Sequence, residues 1–116
     1  LFQKHHEQHR ENIMTQYSKN YQWMLQKFNT VMERHQDLGK AVREAGPIDE
    51  KNSQLIQLGA AAAIRAEGSV HSHTKRAMKA GASAEEIYHA IILLTSTIGF
   101  PAVAAALSWV KDVIEE

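Results

Sequence analysis

A helix stop followed at once by a helix start occupies residues 79–86, Lys79-Ala80-Gly81-Ala82-Ser83-Ala84-Glu85-Glu86. Gly81 suits the left-handed residue that ends a helix, and Lys79 in the last turn complements the negative end of its dipole. Ser83 and Glu86 have the spacing of a capping box, in which the serine oxygen takes the Glu86 amide and the glutamate reaches back to the Ser83 amide. This signal commits the middle of the chain to a helix–turn–helix. Beyond it Ile87, Ile91, Leu94 and Ile98 form one stripe, and Ile92 and Leu93 make the helix apolar almost all round. Such a helix is buried in a core or between subunits. The spacing carries it to Gly99-Phe100-Pro101, where a further helix starts with proline in its first turn. The inward stripe of that helix is Val103, Leu107, Val110 and Ile114.

The rest of the chain has the same period. Tyr21, Met24, Leu25, Phe28, Val31 and Met32 fall at three- and four-residue steps, a stripe better read as core than as a ligand pocket. Leu38, Ala41, Val42 and Ala45 continue it, with a bend expected near Gly39 and a stop at Gly46-Pro47. Asp49 is an N-cap for the next helix, which runs through Leu55, Ile56, Leu58 and the alanines 60–63 to a break at Glu67-Gly68. No segment alternates with period two, so the chain reads as all-α: a long N-terminal helical arm, then four shorter helices. Residues 1–20 are a polar, His- and Gln-rich arm, and 21–116 are expected to form a single helical domain.

The chain has 116 residues, no cysteine, and 13 Lys and Arg against 13 Asp and Glu. Neutral charge argues against nucleic acid and against an anionic membrane surface as partners. Without cysteine there is no disulfide, no thiolate catalysis and no cysteine metal site. No apolar run reaches the length of a membrane span, and no signal peptide is evident, so a cytoplasmic location is the default expectation. A subunit this small, with an apolar helix and no net charge, is expected to assemble with copies of itself.

Histidine carries most of the chemistry on offer. His73 and Ser69 are four apart and share a helical face, whereas His71 and His73 point in different directions. His71 has Glu67 as an i,i+4 partner if one helix spans both. Ser69 reads first as an N-cap and second as a catalytic hydroxyl. Tyr88 and His89 sit early on the apolar helix, where packing is the simpler role and closure of a pocket the sharper one. His5, His6 and His9 have metal-ligand spacing on a helix, but a polar terminal segment is more simply solvated, so no metal or other cofactor is expected.

The residues from Gly46 to about Leu107 resemble the carboxymuconolactone decarboxylase and alkylhydroperoxidase D superfamily. The resemblance rests on Ile48-Asp49-Glu50-Lys51, Gln54-Leu55-Ile56, and His73 followed by Ala77-Met78-Lys79-Ala80-Gly81-Ala82-Ser83-Ala84-Glu85-Glu86-Ile87. The apolar helix and Gly99-Phe100-Pro101-Ala102 complete it. It implies an alkylhydroperoxidase D-like helical domain assembled as a homo-trimer or hexamer. The peroxidase branch uses a relay written Glu-x11-Cys-x2-Cys-x3-His. Aligned by the histidine, these positions hold Gln54, Ala66, Ser69 and His73. Serine lacks the accessible thiolate needed to reduce a peroxide, so no thiol peroxidase activity is expected.

The decarboxylase branch needs no cysteine. Loss of carbon dioxide from a small carboxylated lactone leaves a dienolate that must be reprotonated, which a histidine can do. The resemblance thus implies a cofactor-free lyase or isomerase with His73 as acid–base group and Ser69 beside it. Arg65 or Arg76 would hold the substrate carboxylate, and Gln54, Tyr88 and His89 would line the site. The alternative is a non-enzymatic oligomeric member that binds a small ligand or acts as a scaffold. A third reading places a metal on His5, His6 and His9, or on His71, His73 and His89 across subunits.

Overall fold

The computed structural model describes residues 18–116, and the polar segment with His5, His6 and His9 lies outside them. The described residues are helical throughout, with no strand. The helices are α1 Lys19–Lys27, α2 Asn29–Glu44, α3 Glu50–Ala63, α4 Glu67–Lys79, α5 Ala84–Ile92, α6 Thr95–Ile98 and α7 Phe100–Ile114. Packing divides the chain into a unit ending at Ala45 and a unit Gly46–Glu116.

In the first unit the Ser18 hydroxyl caps α1 by accepting from the Tyr21 amide at 3.1 Å. The interruption falls at Phe28 and not at Gly39, through which α2 runs unbroken. Phe28 leaves helical geometry (φ −123°, ψ 53°) while its amide still donates to the Met24 carbonyl at 2.8 Å. Its ring meets Trp23 edge-on, centroids 5.9 Å apart. Of the expected core stripe Met32 is buried, Met24 is half-buried and Phe28 is exposed.

The second unit is built on α3, α4, α5 and α7. Asp49 caps α3 as its residue type dictates, its Oδ1 accepting from the Asn52 amide at 2.9 Å. Both ends of the α3–α4 pair are closed in the same way. At the end of α3 the amides of Arg65 and Ala66 donate to the carbonyls of Ala62 (3.1 Å) and Ala61 (3.0 Å). At the end of α4 those of Gly81 and Ala82 donate to Met78 (3.0 Å) and Ala77 (2.9 Å). These are Schellman motifs, and both need a left-handed residue. Glycine supplies it at Gly81 (φ 102°), but an arginine does so at Arg65 (φ 56°).

The capping box forms in full: Ser83 Oγ accepts from the Glu86 amide at 3.1 Å, and Glu86 Oε1 accepts from the Ser83 amide at 3.0 Å. The other Glu86 oxygen takes a hydrogen bond from Lys51 Nζ at 2.8 Å, tying α5 to the first turn of α3. The apolar helix after the box is shorter than its stripe suggests. It ends at Ile92, and a turn at Leu93-Leu94 starts the four-residue α6. The helix is also one-sided: Ile87 and Ile91 are buried, whereas Ile92 and, just past its end, Leu93 are exposed.

Leu58, Ala61 and Ala62 of α3, Val70 and Ala77 of α4, Ile87 and Ile91 of α5, and Val103, Ala106 and Val110 of α7 form one core. The alanines let α3, α4 and α7 approach closely. Each fully buried branched side chain contributes about 1.5–3 kcal/mol. Thr74 is buried with them because its hydroxyl donates to the Val70 carbonyl one turn back, at 2.7 Å. No described helix is long and apolar enough to cross a membrane.

Candidate functional site

The cap at Asp49 makes Glu50 the first residue of α3 and brings Gln54 up one turn later on the same face. That face turns toward α4, and Gln54 is completely buried. A buried amide must find partners for both its ends. Gln54 Nε2 donates to Glu50 Oε1 at 2.8 Å, and its Oε1 accepts from His73 Nδ1 at 2.8 Å. The result is a carboxylate–amide–imidazole chain from the exposed start of α3 to a half-buried histidine in the middle of α4.

Gln54 therefore orients His73 through its oxygen, although an amide cannot exchange protons as a carboxylate does. Sequence reasoning placed Gln54 and His73 but gave Glu50 no part in the site. The available signal was the i,i+4 spacing of Glu50 and Gln54 behind an aspartate cap. Ser69 is not an N-cap: the helix starts at Glu67, Ala66 occupies the cap position, and no side chain caps it. Ser69 is an exposed residue of the first turn, one turn before His73. His71 does not pair with Glu67. Its Nε2 lies 3.2 Å from Asp112 Oδ2, linking α4 to α7.

The remaining expected residues separate. Arg76, three residues after His73, is half-buried, and Arg65 is exposed in the turn between α3 and α4. Tyr88 is half-buried against the core. His89 is exposed on the rim of an open groove of about 610 Å³ along α3 and α5, whose walls include Leu55, Ile56, Gly59, Ala90 and Leu93. Neither Gln54 nor His73 lines that groove. Among the described residues no three side chains of His, Asp or Glu converge to hold a metal, so His71, His73 and His89 do not make such a site within one chain.

Fold and geometry together define a class: an all-helical domain whose helix pair presents an amide-oriented histidine without a redox thiol. The chain belongs to the carboxymuconolactone decarboxylase family, whose model matches residues 29–112. The match extends the resemblance back into α2 and on to the last turns of α7. Neither the curated proteins nor the solved structures gave a match.

Proposed function

We propose that the protein is a cofactor-free lyase or isomerase acting on a small carboxylated, lactone-like molecule, with His73 as its acid–base group. The observation that carries this reading is the 2.8 Å hydrogen bond from His73 Nδ1 to the fully buried Gln54. A hydrogen bond at Nδ1 fixes the orientation of the imidazole, which sets the direction in which it can exchange a proton. In the decarboxylation the carbon–carboxylate bond breaks and its electron pair passes into the conjugated lactone carbonyl. The imidazolium then returns a proton to carbon and regains one from solvent. Arg76, on the same helix three residues on, is better placed than Arg65 to hold the carboxylate; Ser69 is the neighbouring hydroxyl. The chain lacks cysteine, so cysteine-dependent peroxide reduction is outside this proposal.

The test is turnover of 4-carboxymuconolactone and related carboxylated lactones and keto acids by wild type and His73→Gln, with circular dichroism to verify folding. The variant is expected to lose about 10²- to 10⁴-fold in kcat, the usual contribution of a positioned acid–base group. Undiminished turnover in the variant overturns the role of His73. A folded wild type that binds such molecules without turning them over supports the second reading, a ligand-binding member or scaffold. The open apolar groove along α3 and α5 favours that reading as the place where a ligand would sit.

A further inference from the structure

Glu50 is the one carboxylate hydrogen-bonded to the Gln54 amide among the described contacts, and its chemistry constrains everything beyond it. An ionised carboxylate only accepts hydrogen bonds. Gln54 must therefore turn its NH2 toward Glu50, which leaves its carbonyl oxygen facing His73. A carbonyl oxygen also only accepts, so His73 Nδ1 must carry the hydrogen. In the neutral ring the acceptor lone pair then lies on Nε2.

We infer that Glu50 is a positioning residue that sets, through the Gln54 amide, the Nδ1–H tautomer of His73 and so makes Nε2 the nitrogen that exchanges protons. The inference rests on the acid–base reading of His73 for its functional meaning, but not for its structural content. The amide is symmetric in shape and asymmetric in hydrogen bonding, so it transmits a choice and not a proton. Flipping it would set NH2 against an imidazole N–H on one side and oxygen against carboxylate on the other, two repulsive contacts in place of two attractive ones. Burial makes the choice firm, because no water reaches Gln54 to offer alternative partners.

Three substitutions at the exposed Glu50 separate this role from a merely structural one. Glu50→Gln can either accept from Gln54 Nε2 or donate to Gln54 Oε1, and is expected to weaken the preference without inverting it. Glu50→Ala releases the amide and gives a mixture. Glu50→Lys donates to the Gln54 oxygen, turns the amide over, and is expected to invert the tautomer to Nε2–H. The readout is 15N NMR of histidine-labelled protein at a pH where His73 is neutral, where protonated and bare ring nitrogens resonate far apart. The His73 signals are assigned by their loss in His73→Gln.

On an active substrate the kcat of Glu50→Lys is expected to fall by about 10²-fold or more, with Glu50→Gln between that variant and wild type. An unchanged Nδ1–H tautomer in folded Glu50→Ala and Glu50→Lys overturns the inference. Because the tautomer is read without substrate, absence of turnover in wild type refutes the acid–base reading alone.

Discussion

Gln54 surrenders all contact with water and keeps two hydrogen bonds, to Glu50 and His73. Their net contribution to stability is about 1–3 kcal/mol. A leucine of similar volume in its place would gain about 2 kcal/mol from apolar burial. The two nearly cancel, so Gln54→Leu is expected to unfold in urea within about 1 kcal/mol of wild type. The same variant should lose the fixed tautomer of His73 and any turnover. A stability loss well above that value would mean that the amide serves the fold first. Sequence could reach part of this. Glu50 and Gln54 declare their proximity by spacing, but the bond to His73 spans two helices and is visible only through the family relay. The partner of His71 was not legible at all, since Asp112 stands 41 positions away and Glu67 offered a local alternative.

Helix ends were the best-declared elements, because caps are local. Asp49, Ser83 and Glu86 all do what their residue types and spacing require. Helix interruptions were the worst declared. The apolar period runs straight through Phe28 and through Leu93-Leu94, so nothing in the pattern marks either break. Between elements, Glu86 is shared by the capping box and Lys51, and this has a pH signature. The hydrogen bond from Lys51, with the Ser83 amide second, holds the Glu86 carboxyl below its ordinary 4.5. The bond to Glu86 likewise raises Lys51 above its ordinary 10.5. A lowered carboxylate stabilises the fold above its unfolded value, and that stability is lost as pH falls through the folded value. A raised lysine stabilises below its unfolded value, and that stability is lost as pH rises through the folded value. The gap in urea midpoint between wild type and Lys51→Met should therefore be widest around neutral pH and narrow toward both extremes. It should also shrink in 1 M salt. A gap independent of pH would assign the effect to packing of the lysine stem.

For the whole molecule, the all-α class follows from the absence of two-residue alternation, while the division near Gly46 falls inside the stretch 21–116 read as one domain, at a Gly46-Pro47 that the pattern marked only as a helix stop. Large apolar side chains stand open on the second unit, among them Ile64 at 76%, Phe100 at 70% and Leu93 at 63% exposure. Together with zero formal charge they support the proposal that the protein forms a homo-trimer or hexamer. Sedimentation equilibrium should give a mass three or six times that of the chain, and Leu93→Glu should lower it. A wild type that stays monomeric at high micromolar concentration would sink that proposal.

The two Schellman turns of the second unit place different residues in the same backbone role. Gly81 takes its positive φ without strain, whereas Arg65 carries a penalty of about 1–2 kcal/mol for a left-handed side chain. Replacing arginine by glycine or asparagine at position 65 should therefore gain stability, read as a higher midpoint in urea. That asymmetry makes the position an evolutionary gauge. Descendants that retain arginine there do so against a thermodynamic gradient, and the retention would record selection on the guanidinium itself; lineages that have slid to glycine would record its release.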